Sequence, residues 1–209
     1  MISKMKIDKA DHYDDIDNIY QLIWKLLEFG KKNSNSDMHQ GYLPTHSARY
    51  PSIRTVVLRG VDKVKQTISF HTDFRSEKIK EINKNNKISL LFYDHDQKVQ
   101  IKCSGIGLIN NKNDNSDKSW QRTQSFSKKC YIVDKAPGST SDKPTSGYKK
   151  EHEIELPNEE ILNSGYENFT LVSMEVSEIE WLYLHRHGHR RAKFIINNKD
   201  LVKKVWLTP

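Results

Sequence analysis

Apolar residues recur along this chain at two spacings. Between positions 14 and 32 they fall at Ile16, Ile19, Tyr20, Ile23, Trp24 and Leu27, with acids at the start and Gly30 followed by lysines at the end. That spacing predicts an amphipathic helix, and core packing accounts for its apolar stripe better than a membrane surface does. Beyond position 50 the spacing becomes that of strands. IRTVVLRGV (53–61) is β-branched, DKVK turns the chain, and QTISFHT (66–72) follows, so the two runs predict a β-hairpin. SEKIKEINKNN (76–86) predicts a short helix with Ile79 and Ile82 facing inward. KISLLFYDH (87–95) reads as a buried strand. QKVQIKCSGIGLI (97–109) reads as a long one, bent or bulged at Gly105 and Gly107.

The remaining segments are less periodic. Positions 33–51 read as a loop with one short strand near 41–47. Positions 110–129 begin as a loop and lead to a helix over 118–126. The stretch 133–160 is polar and rich in Pro, Gly and Ser, which predicts a long surface excursion. ENFTLVSMEVSEIEWLYLH (167–185) alternates as one or two strands. RRAKFIIN (190–197) and LVKKVWLT (201–208) form a closing hairpin over the Asn197–Asp200 turn. About seven strands and few helices predict a mainly β fold, a closed or partly closed antiparallel barrel. A chain of 209 residues is taken as one domain, 1–209, with its N-terminal helix in 1–32 and a polar excursion over 133–165.

Composition narrows the field. Hydrophobic residues make up 35%, lean but within the globular range, and no apolar run approaches the ~18–20 residues of a membrane span. The N-terminal MISKMKIDKADHYDD lacks the apolar stretch of a secretory signal. Two cysteines, Cys103 and Cys130, make neither a disulfide framework nor a metal site, and two reduced thiols suit a cytoplasmic protein. The net charge of +7 favours an anionic ligand. The lysines are scattered over polar loops, so the charge is a weak argument for nucleic acid. There is no Walker motif, dinucleotide glycine motif or nucleophile elbow. Glu175, Glu178 and Glu180 mix with apolar residues in strand alternation and form no convincing acid/base pair.

Two stretches carry chemistry. In SFHTDFRSEK (69–78) a strand breaks into a helix at Ser76, with Arg75 and Lys78 around the break. Ser76 suits an N-cap. A helix start offers free amides and partial positive charge, and a bound phosphate would offset the unfavourable cation at Lys78. Arg54 and Arg59 lie on the preceding strand, five apart, so they face opposite ways unless the strand bulges. The second stretch, WLYLHRHGHRRAKF (181–194), gathers three histidines and three arginines around Gly188. His185, His187 and His189 alternate, but no acid or cysteine completes a metal site and the arginines oppose a cation. A basic hairpin gripping an anion fits the charge better.

Four segments in order, RTVVLRG (54–60), FHTDFRSEK (70–78), LLFYDHDQKVQIKCSG (90–105) and EWLYLHRHGHRRAKF (180–194), resemble the FMN-binding split barrel of pyridoxamine 5'-phosphate oxidase and its relatives. The likeness covers about residues 50–110 and 170–209. It implies a Greek-key-like antiparallel barrel and FMN as cofactor. It also implies that Arg54, Thr55, Val56 and Val57 lie along the flavin, and that Arg59 stands where the family has a lysine touching cofactor and substrate. His71 and Thr72 match a Tyr-Thr pair, Ser76 and Lys78 the phosphate grip, and Gln100 a glutamine that meets the isoalloxazine. Trp181 and Arg191 match residues that close over the cofactor. The resemblance further implies a homodimer in which two subunits build each FMN site.

The departures from the family are specific. Its second phosphate arginine is Glu77 here, with Arg75 as the candidate substitute. Its Arg-x-His motif is His187-Gly188-His189, and Trp120, Gln124 and Lys128 stand near the places of its substrate-holding Tyr, Arg and Ser. The flavin site looks retained and the substrate site rebuilt. Arg59, His189 and Trp120 are the expected contacts to an anionic small-molecule substrate, and neither nucleic acid nor membrane is an expected partner. The expected function is an FMN-dependent oxidoreductase of unassigned substrate. The alternatives are pyridoxamine 5'-phosphate oxidase itself or a non-catalytic flavin-binding module.

Overall fold

The computed structural model describes residues 13–47 and 50–209; the opening stretch without a signal-like apolar run falls largely in 1–12, outside them. Eight strands are present: β1 (Gln40–Thr45), β2 (Ser52–Asp62), β3 (Thr67–Asp73), β4 (Lys87–Asp94), β5 (Val99–Asn110), β6 (Phe169–Tyr183), β7 (Arg190–Asn197) and β8 (Asp200–Leu207). The helices are α1 (Ile16–Lys32), α2 (Glu77–Lys84), α3 (Asp114–Gln121), α4 (Ser125–Lys128) and α5 (Glu159–Ser164). Neighbouring strands run β3-β2-β1-β4-β5-β6, and β6 pairs back onto β3. These six close a barrel of antiparallel strands, with β7 and β8 continuing outward from β6. The mainly β barrel with flanking helices expected from the alternation is what the chain forms.

The 15-residue β6 makes this possible. One edge pairs with β5 along nearly its whole length. The other pairs first with β3, from Phe169↔Asp73 to Glu175↔Thr67, and then with β7, from Glu178↔Ile195 onward. Gln66 sits at the handover. Its carbonyl accepts from the Val176 amide at 2.8 Å, its backbone is left-handed (φ 53°), and its side chain accepts from the Tyr20 hydroxyl at 3.0 Å. The bend expected at Gly105 is a register shift between Ser104 and Gly105 against β6.

Helix α1 starts at Asp15, whose carboxylate accepts from the Asp17 and Asn18 amides, and it buries Ile19, Ile23, Trp24 and Leu27 against the barrel. Gly30 does not end the helix. The turn at Asp37–His39 lies so close that a Cβ there would fall 2.5 Å from the Met38 carbonyl oxygen. The helix expected over 118–126 is two helices. The first begins earlier, in a capping box between Asn113 and Ser116, and the chain breaks before α4. Trp120, Tyr131 and Phe169 form a small second core beside the barrel. The excursion over 133–160 is largely exposed, with a 3₁₀ turn at Lys150–His152 and the start of α5 at Glu159. Cys103 is buried and Cys130 exposed, both as free thiols. No helix of the described residues is long and apolar enough to cross a membrane.

A Cβ built on Gly105 would lie 1.9 Å from the Glu175 carbonyl oxygen, an encounter that only a backbone shift relieves. Gly105→Ala should therefore cost roughly 1–3 kcal/mol, read as a lowered urea midpoint. An unchanged midpoint would show that β5 and β6 tolerate slippage there.

Candidate functional site

At the break between β3 and α2, four of the expected cofactor residues meet, Ser76 and Lys78 of the expected phosphate grip with Thr72 and Arg54. Lys78 Nζ donates to Thr72 Oγ1 at 3.0 Å, and Thr72 Oγ1 lies 3.3 Å from Ser76 Oγ. Arg54 reaches the same corner from β2. Its guanidinium donates to Glu81 Oε2 at 2.9 Å, to the Leu43 carbonyl, and to the Thr45 and Ser52 hydroxyls. Burial lowers the pKa of Lys78, and the Arg54 charge beside it adds to that, while Asp73 and Glu81 pull the other way. Ser76 precedes α2, but its hydroxyl does not cap the helix as expected. It donates to the Asp73 carbonyl at 2.6 Å instead. The first-turn amides of α2 therefore receive no side-chain cap.

Arg75 does not join this corner. Its guanidinium is bound twice by the buried Asp73 carboxylate and donates to the Val133 and Asp134 carbonyls, each at 2.9 Å. Those bonds pin the start of the polar excursion and leave Arg75 no free fork for a phosphate. The expectation that it replaces the arginine missing at Glu77 is corrected accordingly. Glu81, which the sequence reading passed over, is the corner's carboxylate. It is 7% exposed and also accepts from Thr45 Oγ1 at 2.5 Å. Its position three residues after Lys78 on α2, hence on the same face, is the signal that could have found it.

Arg59 and His71 lie elsewhere. The β2–β3 register shifts between Leu58 and Gly60, so Arg59 sits on a bulge and points outward. It lines a cleft of about 820 Å³ on the barrel's outer wall, between the end of α1 and α3–α4. His71 faces the same cleft while its neighbour Thr72 turns to the corner, as alternation along β3 requires. His71 Nε2 is 2.7 Å from Ser119 Oγ, and burial, with the nearby Arg59 charge, pulls its pKa down to about 4. Thr55 is exposed on β2, Val57 half-buried, and Val56 buried in the core.

Trp120 does not line this cleft. Its indole is 6% exposed and packs edge-on to Tyr131 and tilted on Phe169, so the expected substrate contact is a core residue. Gln124 does line it, together with Lys118, Ser119 and Arg122, which the sequence reading did not single out.

The remaining candidates gather at the far end of β6. Gln100 pairs with Leu182, and Leu182 with Arg191, so the three side chains share the outer face. Arg191 donates to Glu180 Oε2 at 2.5 Å and Lys102 to Oε1 at 2.5 Å. Burial alone would raise the Glu180 carboxyl, but these bonds and charges outweigh it and hold it at about 2. Trp181 faces the opposite way. It is fully buried, stacked on Tyr13 at 5.4 Å, so it closes over nothing unless Tyr13 leaves. His189 and Arg191 border a smaller cleft of about 360 Å³ beside the partly exposed Trp206.

Comparison with known proteins bears on the family likeness and the fold. Residues 21–110 match the family model of the pyridoxamine 5'-phosphate oxidase FMN-binding domain, a span that runs from α1 through β5 and includes the corner. The chain is 27% identical, over 88% of its length and 93% of the relative's, to pyridoxine/pyridoxamine 5'-phosphate oxidase 2 of Arabidopsis thaliana. Two solved structures share its fold. A pyridoxamine 5'-phosphate oxidase-related, FMN binding protein of Nostoc punctiforme superposes with a TM-score of 0.71 at 18% identity, over 90% of this chain and 96% of that one. PhzG of Burkholderia lata, crystallised with tetrahydrophenazine-1-carboxylic acid, gives 0.66 at 19% identity, over 96% and 97%. The chain thus resembles the pyridoxamine 5'-phosphate oxidase-related split-barrel family in sequence and fold, and the match to an FMN-binding domain supports a flavin cofactor.

His71 offers a direct check on the outer cleft. Its folded pKa lies below the ordinary 6.5, so the unfolded chain takes up a proton between pH 6.5 and about 4 that the folded chain refuses. Stability should fall as pH drops through that window, and His71→Gln should flatten the fall, measured by urea midpoints at pH 7 and 4.5. An imidazole NMR resonance titrating near 4 should vanish in the same variant.

Proposed function

We propose that this protein is an FMN-dependent oxidoreductase whose cofactor phosphate docks at the β3–α2 corner. The convergence of Lys78, Arg54, Thr72 and Ser76 beside the uncapped first turn of α2 carries this reading. Two cations brought close together in a half-buried corner repel each other, and a dianion there would relieve both. The hydroxyls of Thr72 and Ser76 can donate to phosphoryl oxygens, and the α2 amides add the directed dipole of a helix start. The donor set therefore fits the phosphate of FMN. Bound there, FMN would supply two-electron redox chemistry, which needs no acid or base of the protein at the reacting atoms.

The chain's own residues then bind and orient. Thr55 and Val57 lie on the outer face of β2, available along a flavin. Arg59 presents an anion-attracting group beside it, next to the neutral His71 imidazole, whose ring Ser119 holds in place. We further propose a homodimer with the FMN site at the subunit interface. The outer faces of β1 and β2 present Tyr42, 45% exposed, and Ile53, 66% exposed, as an apolar surface for a second copy. In that arrangement Gln100, Arg191 and His189 of one subunit would complete the site of the other.

The Arabidopsis relative's name favours a second reading, pyridoxamine 5'-phosphate oxidase activity. The corner supports both readings equally, and turnover of pyridoxamine 5'-phosphate separates them. A flavin-binding module without turnover predicts a yellow protein that no substrate bleaches.

Lys78→Ala should weaken FMN by roughly 1.5–3 kcal/mol, the scale of a charge-assisted bond, as read by flavin fluorescence titration. Unchanged affinity would remove the phosphate from this corner. The purified protein should show the visible absorption of oxidised flavin, and a colourless protein that takes up no added FMN would end the reading.

A further inference from the structure

The charge of the β3–α2 corner is even until Arg75 is counted. Arg54 and Lys78 are its cations, and the Asp73 and Glu81 carboxylates both act on Lys78. Those two acidic side chains are 6% and 7% exposed, so water screens neither well. Two cations set against two carboxylates leave no surplus for a phosphate monoester, which carries close to two negative charges at neutral pH. Of the other acids nearby, Glu77 is exposed and paired with Lys80 at 3.0 Å, and Asp134 is exposed and acts on Arg75 through solvent.

Arg75 brings a fifth charge. Its Nη2 donates to Asp73 Oδ2 at 2.8 Å and its Nε to Oδ1 at 3.1 Å, a two-pronged grip on the carboxylate. The Arg75 amide donates to the same Oδ1 at 2.8 Å. Asp73 in turn holds the break itself, since its carbonyl accepts from the Ser76 amide at 3.1 Å and from the Ser76 hydroxyl at 2.6 Å. Tying down the Val133 and Asp134 carbonyls needs only a donor. A carboxylate buried this far needs a charge, because an unpaired one keeps its full field at Lys78.

We propose that Arg75 is a positioning residue of the cofactor corner: without touching the phosphate, it neutralises the Asp73 carboxylate and so gives the corner the net positive charge that a dianion needs. This rests on the FMN reading for the identity of the anion, whereas the neutralisation of Asp73 does not depend on it. The cation missing at Glu77 is thereby made good in charge, although not in contact. The corner then holds Arg54 and Lys78 ready for the phosphate, with Glu81 as the one buried carboxylate left to balance them.

Fluorescence titration of the full chain with FMN, and with riboflavin, which lacks the phosphate, tests the proposal. Arg75→Gln should weaken FMN about tenfold and leave riboflavin unchanged. Asp73→Asn keeps an oxygen for the Arg75 amide and should bind FMN at least as tightly as the native chain. Added to Arg75→Gln it should restore the native affinity, because no carboxylate remains to be neutralised. An equal loss for both flavins would make Arg75 a tie for the loop and nothing more. A double variant as weak as Arg75→Gln would mean that the guanidinium meets the phosphate itself, and either result overturns the proposal. A readout without flavin separates it from the cofactor reading. The Lys78 side-chain NMR titration should move to higher pH in Arg75→Gln, since an unshielded Asp73 favours the ammonium, and should return in the double variant. An unmoved Lys78 overturns the proposal. If Lys78 moves as stated while the native chain binds FMN and riboflavin alike, the phosphate docks elsewhere and the cofactor reading fails, with the shielding of Asp73 by Arg75 still standing.

Discussion

The closure of β3 against β6 is the constraint on which the rest of the molecule depends. Seven residue pairs, Thr67–Asp73 against Glu175–Phe169, turn an open sheet into a barrel and leave no free edge along that stretch. The same strand then serves a second sheet. Past Val176 its edge passes from β3 to β7, and the outboard hairpin that carries His189 and Arg191 hangs from it. Gln66 marks the handover and is tied to α1 through Tyr20, so the helix, the barrel seam and the hairpin share one anchor. A slip of one residue along β6 would turn every inward side chain outward on both sheets at once.

The functional surfaces follow from the two faces of the short strand β3. Alternation sends His71 to the outer cleft and Thr72 to the corner, so adjacent residues serve separate chemistries. Charge separates them as well. The corner balances Arg54 and Lys78 against Asp73 and Glu81, whereas the α3 side of the cleft has cations without carboxylate partners. The far end of β6 has settled its charge internally, with Glu180 drawing in Lys102 and Arg191.

Much of the fold was legible because alternation and branching are local. The strands, the β2–β3 hairpin, the bulge at Gly105 and the turn at Asn198 and Lys199, both with left-handed backbones, all show in short windows. The polar helix α3 was placed too late because Trp120 is its one large apolar residue, and its start is written in the Asn113–Ser116 cap rather than in periodicity. Register was the other blind spot. Trp181 pairs with Ala192, so Arg191 stands on the opposite face, and ten residues of sequence separation cannot reveal that. Arg75 looked free because Asp73 and the 133–134 carbonyls that hold it are a turn away or far along the chain. Whether a cation is paired is a property of the folded arrangement, which is why Lys118 and Arg122 drew no attention as letters.

The anchoring of the polar excursion has a consequence for how this chain can vary. Its two ends meet where Asn168 Nδ2 donates to the Tyr131 carbonyl at 2.8 Å and the Phe74 amide donates to the Asn168 carbonyl at 2.7 Å. Between them the stretch before α5 is mostly loop, and its closure is already fixed at its base. Doubling such a loop adds only about 0.6 kcal/mol of closure entropy. Insertions or deletions there would leave the register of the seam untouched, making that stretch the natural place to graft a new module or a tag onto this scaffold.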